Sequence, residues 1–169
     1  MANCLTKHIP NALTSCNLMS GCVAIVFALS ANYSMALTFI VVGAVFDFFD
    51  GMSARLLGVS SPIGKELDSL ADVVTFGVAP SMMIYTILLT IDKTGYNDIL
   101  AAAAPYVAFV MAAFSAIRLA KFNLDERQTT SFIGLPTPAN ALFWGALIVG
   151  SEEYLALSSG SIYILLIMV

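Results

Sequence analysis

Four aspartates, Asp47, Asp50, Asp68 and Asp72, stand in otherwise apolar stretches of the chain. At about 100° per residue, Asp47, Asp50 and Ala54 fall within about 60° of one another on one helix face, and Asp68 and Asp72 lie one turn apart within about 40°. The segment between the two pairs, Gly58 to Pro62, is rich in Gly, Ser and Pro, a turn that makes the flanking helices antiparallel neighbours. All four carboxylates are therefore expected to meet in one pocket. As four anions at low dielectric they would repel one another strongly. Protonation is one way to neutralise them and divalent cations are the other. Two Mg²⁺ or Mn²⁺ ions would balance four negative charges, and hard oxygen ligands suit those metals. Cys4, Cys16, Cys22 and the lone His8 have no zinc-ligand spacing. Two metals about 3.5–4 Å apart form a clamp for phosphoryl transfer. Gly51 and Ala54, beside the acids, leave room for a ligand to approach the backbone, and Arg55 is suited to pair with phosphate oxygens. Metals, gap and cation together point to a nucleotide diphosphate.

The elements that must position these residues are membrane helices. Of the 169 residues, 59% are hydrophobic and 11% charged, and the mean hydropathy is +0.90. A soluble domain carries about 25% charged residues, so the bilayer is the expected solvent. The chain reads as an all-α polytopic bundle of about six spans in a single domain, residues 1–169. The spans run from about Ile9 to Ser30, Met35 to Leu57, Gly64 to Ile91, Ile99 to Phe122 and Pro136 to Gly150, with Glu152 and Glu153 in a water-exposed turn. A sixth apolar run starts near Ser159 and stops at Val169. It covers roughly 16 Å of a 30 Å hydrocarbon core, so a truncated last helix is expected. With the N-terminus in the cytoplasm, Lys7, Arg55, Lys65, Arg118, Lys121 and Arg127 fall on the cytoplasmic side and only Lys93 outside, as the positive-inside rule favours. The three cysteines are expected to behave as small buried helix residues.

Two readings compete with an enzyme. One intramembrane aspartate can serve as a helix–helix hydrogen-bonding device, but four on adjacent helices, with Gly and Ala between, exceed that need. A cation or proton pathway is the rival of another class. Against it, the acids cluster at one depth and do not continue as a chain across the membrane.

The run Asp47-Phe-Phe-Asp50-Gly51-Met-Ser-Ala54-Arg55, followed by Gly64, Asp68 and Asp72, resembles the CDP-alcohol phosphatidyltransferase signature D-x2-D-G-x2-A-R-x8-G-x3-D-x3-D at every specified position. Residues 9–17 (IPNALTSCN), 68–81 (DSLADVVTFGVAPS), 117–123 (IRLAKFN) and 132–141 (FIGLPTPANA) look like the phosphatidylserine synthase branch. The resemblance implies a six-helix core, a homodimer, and a cytoplasm-facing cavity open to membrane lipid. It also implies displacement of CMP from a CDP-lipid by an incoming hydroxyl. On that basis Asp47, Asp50, Asp68 and Asp72 hold the metals and Asp72 takes the hydroxyl proton. Gly51 and Ala54 lie against the cytidine, and Arg55 near the phosphates. The expected substrates are CDP-diacylglycerol and L-serine, with no nucleic-acid partner. Glycerol 3-phosphate or inositol phosphate as acceptor, or an archaeal ether lipid as donor, are the alternatives.

Serine is a zwitterion and needs partners of both signs. Arg118 and Lys121 share one face of span four at i and i+3. They are candidates for the serine carboxylate or the lipid phosphate, and plain positive-inside anchors otherwise. Asn123 and Thr137 are weaker polar candidates for the same role. Thr14 and Asn17 are placed either to meet the diphosphate or to bond neighbouring helices. Glu66 points about 200° away from Asp68 and is left out of the metal site. Trp144 is expected to serve packing or the membrane interface.

Overall fold

The computed structural model describes residues 8–59, 61–90, 98–124 and 135–157. Among them the chain is helical with short turns: α1 (Ile9–Leu29), α2 (Tyr33–Leu57), α3 (Pro62–Asp72), a π-helical stretch (Val73–Val78), α4 (Ala79–Thr90), α5 (Asp98–Ala103), a 3₁₀ turn (Ala104–Val107), α6 (Ala108–Leu124) and α7 (Thr137–Leu157). Four segments of the described residues are long and apolar enough to cross a membrane: Ile9–Leu29, Tyr33–Leu57, Pro62–Thr90 and Ala104–Leu124. The protein is an all-α membrane bundle. The sixth apolar run of the sequence lies outside the described residues, as do Cys4, Lys7, Lys93 and Arg127.

Local chemistry sets the helix ends. Pro10 stands in the first turn of α1, where a missing N–H is harmless. The Asn32 side chain accepts the Met35 N–H at 3.2 Å and starts α2. Gly58, at φ +61°, closes α2 in the left-handed conformation that glycine adopts without strain. Ser61 then accepts the Gly64 N–H at 2.9 Å, with Pro62 in the first turn of α3. The resulting tight reversal brings Asp68 and Asp72 back alongside Asp47 and Asp50.

Helix α7 differs from expectation. It runs through Glu152 and Glu153 to Leu157, where the sequence suggested a turn. The stretch after Ser151 is Glu-Glu-Tyr-Leu-Ala-Leu, mostly good helix formers, and a helix that reaches water has no reason to stop there.

The span Pro62–Thr90 forms the centre of the bundle: 61% of its apolar window is buried, against 33% for Ile9–Leu29 and 22% for Tyr33–Leu57. Its Phe76, Met83, Ile84 and Ile87 pack with Ala24 and Ala28 of α1, Ile40 of α2, and Trp144 and Ile148 of α7. Trp144 is buried, the packing role the sequence suggested. Large apolar side chains such as Met19, Val26, Phe48 and Leu70 point outward, as a lipid solvent allows. For the same reason Cys22 is exposed and Cys16 half-buried, a correction to the buried role expected of both. On a helix long and apolar enough to cross a membrane, an outward thiol can face hydrocarbon in place of water.

Candidate active site

The α2–α3 reversal sets the four aspartates against α1. Carboxylate oxygens of Asp47, Asp50 and Asp68 lie within 4.8 Å of one another. Asp50 is buried, and its Oδ2 accepts the Thr14 hydroxyl at 2.6 Å. The Thr14 oxygen also lies 3.0 Å from the Pro10 carbonyl. It has one proton, and the shorter, charge-assisted contact to the carboxylate is the stronger claim on it. Asp72 is also buried, and its Oδ1 accepts from Asn17 Nδ2 at 3.1 Å. Thr14 and Asn17 thus reach the carboxylates of neighbouring helices from one face of α1.

The donor set fits hard divalent cations. It consists of carboxylate oxygens alone, the ligands Mg²⁺ and Mn²⁺ prefer. Asp68 Oδ1 is buried and has no hydrogen-bond partner among the described residues. A buried acceptor left unpaired costs about 1–3 kcal/mol, more when charged. A cation shared with Asp47 and Asp50 would remove that cost.

Asp47, Asp68 and Asp72 also line a cavity of about 640 Å³. Its other wall comes from α6 and the start of α7, with Arg118, Lys121, Asn123 and Thr137, and Phe114 and Ile117 among the apolar groups. Arg118 Nη1 donates to Thr137 Oγ1 at 2.9 Å. All four sequence candidates for the acceptor therefore meet here. A second space of about 300 Å³ shares Phe114, Arg118 and Thr137 with the first and is bounded by Met111 and Trp144.

Gly51, Ala54 and Arg55 are not part of that lining. They continue α2 beyond Asp50, and the Arg55 side chain folds back so that Nε donates to the Gly51 carbonyl at 3.0 Å. Among the described residues a Cβ at Gly51 would meet only Arg55 Nη2, at 4.0 Å, so within them the surface over Gly51 is open apart from that guanidinium. Glu66 is exposed and outside the lining, as expected.

Two cavity residues, Lys65 and Ser69, were missed in the sequence as parts of the site. Lys65 Nζ donates to the Asn123 carbonyl at 3.1 Å, Asn123 Nδ2 donates to Ser69 Oγ at 2.8 Å, and Ser69 Oγ donates to the Lys65 carbonyl at 3.2 Å. This ring ties α3 to the end of α6. The signal was available: Lys65, Ser69 and Asp72 recur at i, i+4 and i+7, which puts all three on one helix face. In the sequence alone Lys65 counts only toward the cytoplasmic charge asymmetry.

Comparison with known proteins agrees with this geometry. Residues 7–169 match the CDP-alcohol phosphatidyltransferase family. The chain is 40% identical over 136 residues to the CDP-diacylglycerol–serine O-phosphatidyltransferase of Bacillus subtilis, covering 78% of this chain and 70% of that protein. It is 34% identical over 161 residues to the protein of the same name from Methanocaldococcus jannaschii, covering 95% of this chain and 70% of that protein. With the one from Helicobacter pylori J99 the identity is 38% over 147 residues, which is 86% of this chain and 59% of that protein. Signature, carboxylate cluster and cavity agree with these matches, and the chain belongs to the CDP-alcohol phosphatidyltransferase family.

Proposed function

We propose that the chain transfers the phosphatidyl group of CDP-diacylglycerol to the hydroxyl of L-serine, giving phosphatidylserine and CMP. The observation that carries this reading is a single cavity with carboxylates on one wall and cations on the other. Asp47, Asp68 and Asp72 face Arg118 and Lys121 across it. The names of the relatives point to the same donor and acceptor.

Asp47, Asp50, Asp68 and Asp72 would hold two Mg²⁺ or Mn²⁺ ions, which when bound offset the charge of the diphosphate and draw electron density from the phosphorus under attack. Thr14 and Asn17 orient Asp50 and Asp72 from α1. The cytidine lies over Gly51 and Ala54, with Arg55 turning from the Gly51 carbonyl toward the phosphates. Arg118, Lys121, Asn123 and Thr137 receive the serine carboxylate or the lipid phosphate. Arg118 spends one N–H on Thr137, and a guanidinium has five. The serine hydroxyl gives its proton to Asp72 as its oxygen bonds to the lipid-linked phosphorus. The phosphoanhydride P–O bond breaks, and CMP leaves with the electron pair. A single in-line displacement accounts for all of this.

The site opens to the cytoplasmic face, on the strength of the cation asymmetry in the sequence, and the working unit is a homodimer. The acceptor is argued from charge. Glycerol 3-phosphate and inositol phosphate bring a phosphate that calls for more cations than Lys65, Arg118 and Lys121, which already face three carboxylates. Purified protein is assayed for CMP release from CDP-diacylglycerol and Mn²⁺ with each acceptor in turn. Serine should give the fastest release, and faster turnover with glycerol 3-phosphate would refute the assignment. A cation pathway predicts flux across sealed vesicles without CDP-lipid, where the enzyme predicts none.

A further inference from the structure

Directly after Asp72 the helix widens into a π turn, and the cause is local. Pro80 has no N–H to give to the helix, and the Ala79 N–H reaches back five residues to the Val74 carbonyl. Ser81 Oγ donates to the Gly77 carbonyl at 2.8 Å. Such single wide turns recur at functional sites.

Inside this turn, Thr75 departs from the habit of its neighbours. The hydroxyls of Ser15, Ser20, Thr38, Ser69 and Ser81 each donate to the carbonyl four residues earlier in their own helix. Thr75 Oγ1 instead crosses to α1 and donates to the Asn17 carbonyl at 3.0 Å. Both residues are 0% exposed. Glycines make the crossing possible. A Cβ at Gly21 would lie 2.8 Å from Thr75 Cα, and one at Gly43 would lie 2.5 Å from Thr75 Cγ2 and 2.9 Å from Asn17 Oδ1. Neither site has room for a methyl group. The Thr75 side chain is thus wedged where α1, α2 and the π turn meet. The residue whose backbone it grips is the one whose amide holds Asp72.

We propose that Thr75 is a positioning residue for the transfer: by fixing the Asn17 backbone across the α1 seam, it sets the Asn17 amide, and through it the Asp72 carboxylate. This rests on Asp72 acting as proton acceptor and metal ligand. The two parts of the side chain have separable duties. The hydroxyl orients Asn17, and Cγ2 fills the space left by Gly43.

The test uses the full chain in detergent, with Thr75→Val, Thr75→Ser, Asn17→Ala and the double variant Thr75→Val/Asn17→Ala. Thr75→Val keeps the shape and loses the hydroxyl. Its kcat for CMP release should fall measurably, by no more than the roughly 10–100-fold loss seen when a side chain bonded directly to a metal ligand is removed, the loss expected of Asn17→Ala. KM for both substrates and the melting temperature should stay near wild type. Thr75→Ser should do the reverse, melting lower while kcat is retained. In the double variant Thr75→Val should add little to Asn17→Ala, because the two act in one line. The same pattern should appear in Mn²⁺ affinity measured by calorimetry without lipid. Additive losses, or a kcat that tracks melting temperature through both Thr75 variants, would overturn the proposal. If Thr75→Val proves too unstable to assay, a retained kcat in Thr75→Ser supports the proposal and a lost one sinks it. A wild type that binds Mn²⁺ yet releases no CMP with serine would remove the functional reading alone, and the Mn²⁺ titrations would still decide the coupling.

Discussion

On the α1 side of the carboxylates, Asp50 and Asp72 are each gripped by one side chain, Thr14 at 2.6 Å and Asn17 at 3.1 Å. The helices there approach so closely that Gly43 admits no side chain. On the α6 side, Asp47, Asp68 and Asp72 look across about 640 Å³ at Arg118 and Lys121, with Lys65 of α3 also in the lining. Among the described residues Lys65 and Arg118 donate there to uncharged groups: the Asn123 carbonyl and the Thr137 hydroxyl. One wall is built to hold charge in a fixed place, as stabilisation of a transition state requires. The other keeps cations near an open space. The difference suggests a division of labour, with the α1 side serving chemistry common to the family and the α6 side choosing the acceptor. Variants of the first wall should then lose kcat, and variants of the second should raise the KM for serine.

The largest effect should come from Asp72→Asn, which keeps the shape and removes a proton acceptor. General-base assistance alone is worth roughly 10²–10⁴-fold, and a weakened metal ligand adds to the loss. CMP release at saturating Mn²⁺ measures it, and near-normal turnover would remove Asp72 from the proposed role. On the opposite wall, Arg118→Ala should raise the KM for serine about 10–150-fold, the equivalent of one charged hydrogen bond of about 1.5–3 kcal/mol. The KM for CDP-diacylglycerol should change far less. Arg118→Lys should recover only part of the loss, since it keeps the charge without the planar fork. If both Arg118 variants lowered kcat and left the serine KM alone, the two walls would not be divided as described.

Metal and nucleotide should bind with positive coupling. Without cations, the diphosphate would meet bare carboxylates, so each ligand should strengthen the other by the same factor, typically about 5–150-fold. Calorimetric titration of Mn²⁺ into EDTA-treated protein, with and without CDP, reads this directly. Equal CDP affinity in the two states would mean that the aspartates serve something else.

Two glycines of α2 separate fold from site. At Gly43 a methyl group would lie 2.5 Å from Thr75 Cγ2, whereas at Gly51 it would meet, among the described residues, only Arg55 Nη2, at 4.0 Å. Gly43→Ala should lower stability by about 1–3 kcal/mol, the usual cost of overpacking. Gly51→Ala should melt at or above wild type, since alanine is the better helix former by about 1 kcal/mol. Its losses should appear in CDP-lipid binding alone. A thermal melt paired with a CDP titration distinguishes them, and a destabilised Gly51→Ala would argue against open space over that residue.

The carboxylate half of the site was legible because its spacing is local. Asp47 and Asp50, then Asp68 and Asp72, are related by helix periodicity and a short turn, and both can be counted in the sequence. Arg118 and Thr137 were legible as types but not as a pair, because 19 residues separate them and no periodicity links separate helices. Thr14 and Asn17 carried two readings, and three-dimensional packing was needed to direct them to carboxylates. The π turn was not legible at all. Pro80 signals that a helix must adjust, but not that it widens upstream at Val73–Val78 and turns Thr75 toward α1. The end of α7 was misjudged because two adjacent glutamates signal water, which a helix can enter without ending.

The smallest expected effect concerns the ring that joins the walls. Lys65, Ser69 and Asn123 close a ring of three hydrogen bonds, two between α3 and the end of α6 and one within α3. Among the described residues none of the three hydrogen-bonds to Asp68 or Asp72, so they are expected to set the width of the cavity and leave the acids alone. Ser69→Ala removes the acceptor for Asn123 Nδ2 and leaves the Lys65 ammonium on the Asn123 carbonyl. One net hydrogen bond at a partly exposed site is worth about 0.5–1.5 kcal/mol, or a factor of roughly 2–12 if all of it appeared in binding. The serine KM should therefore rise only a few-fold, with kcat and Mn²⁺ affinity unchanged. Lys65→Met should do more, because it breaks the remaining link and also removes one of three cations from the lining. High salt should weaken serine binding in the parent and much less in Lys65→Met, since a long-range charge contribution would be gone. Equal salt dependence in the two proteins would mean that Lys65 acts only as a tether. A fall in Mn²⁺ affinity in Ser69→Ala would mean that the ring belongs to the carboxylate wall after all.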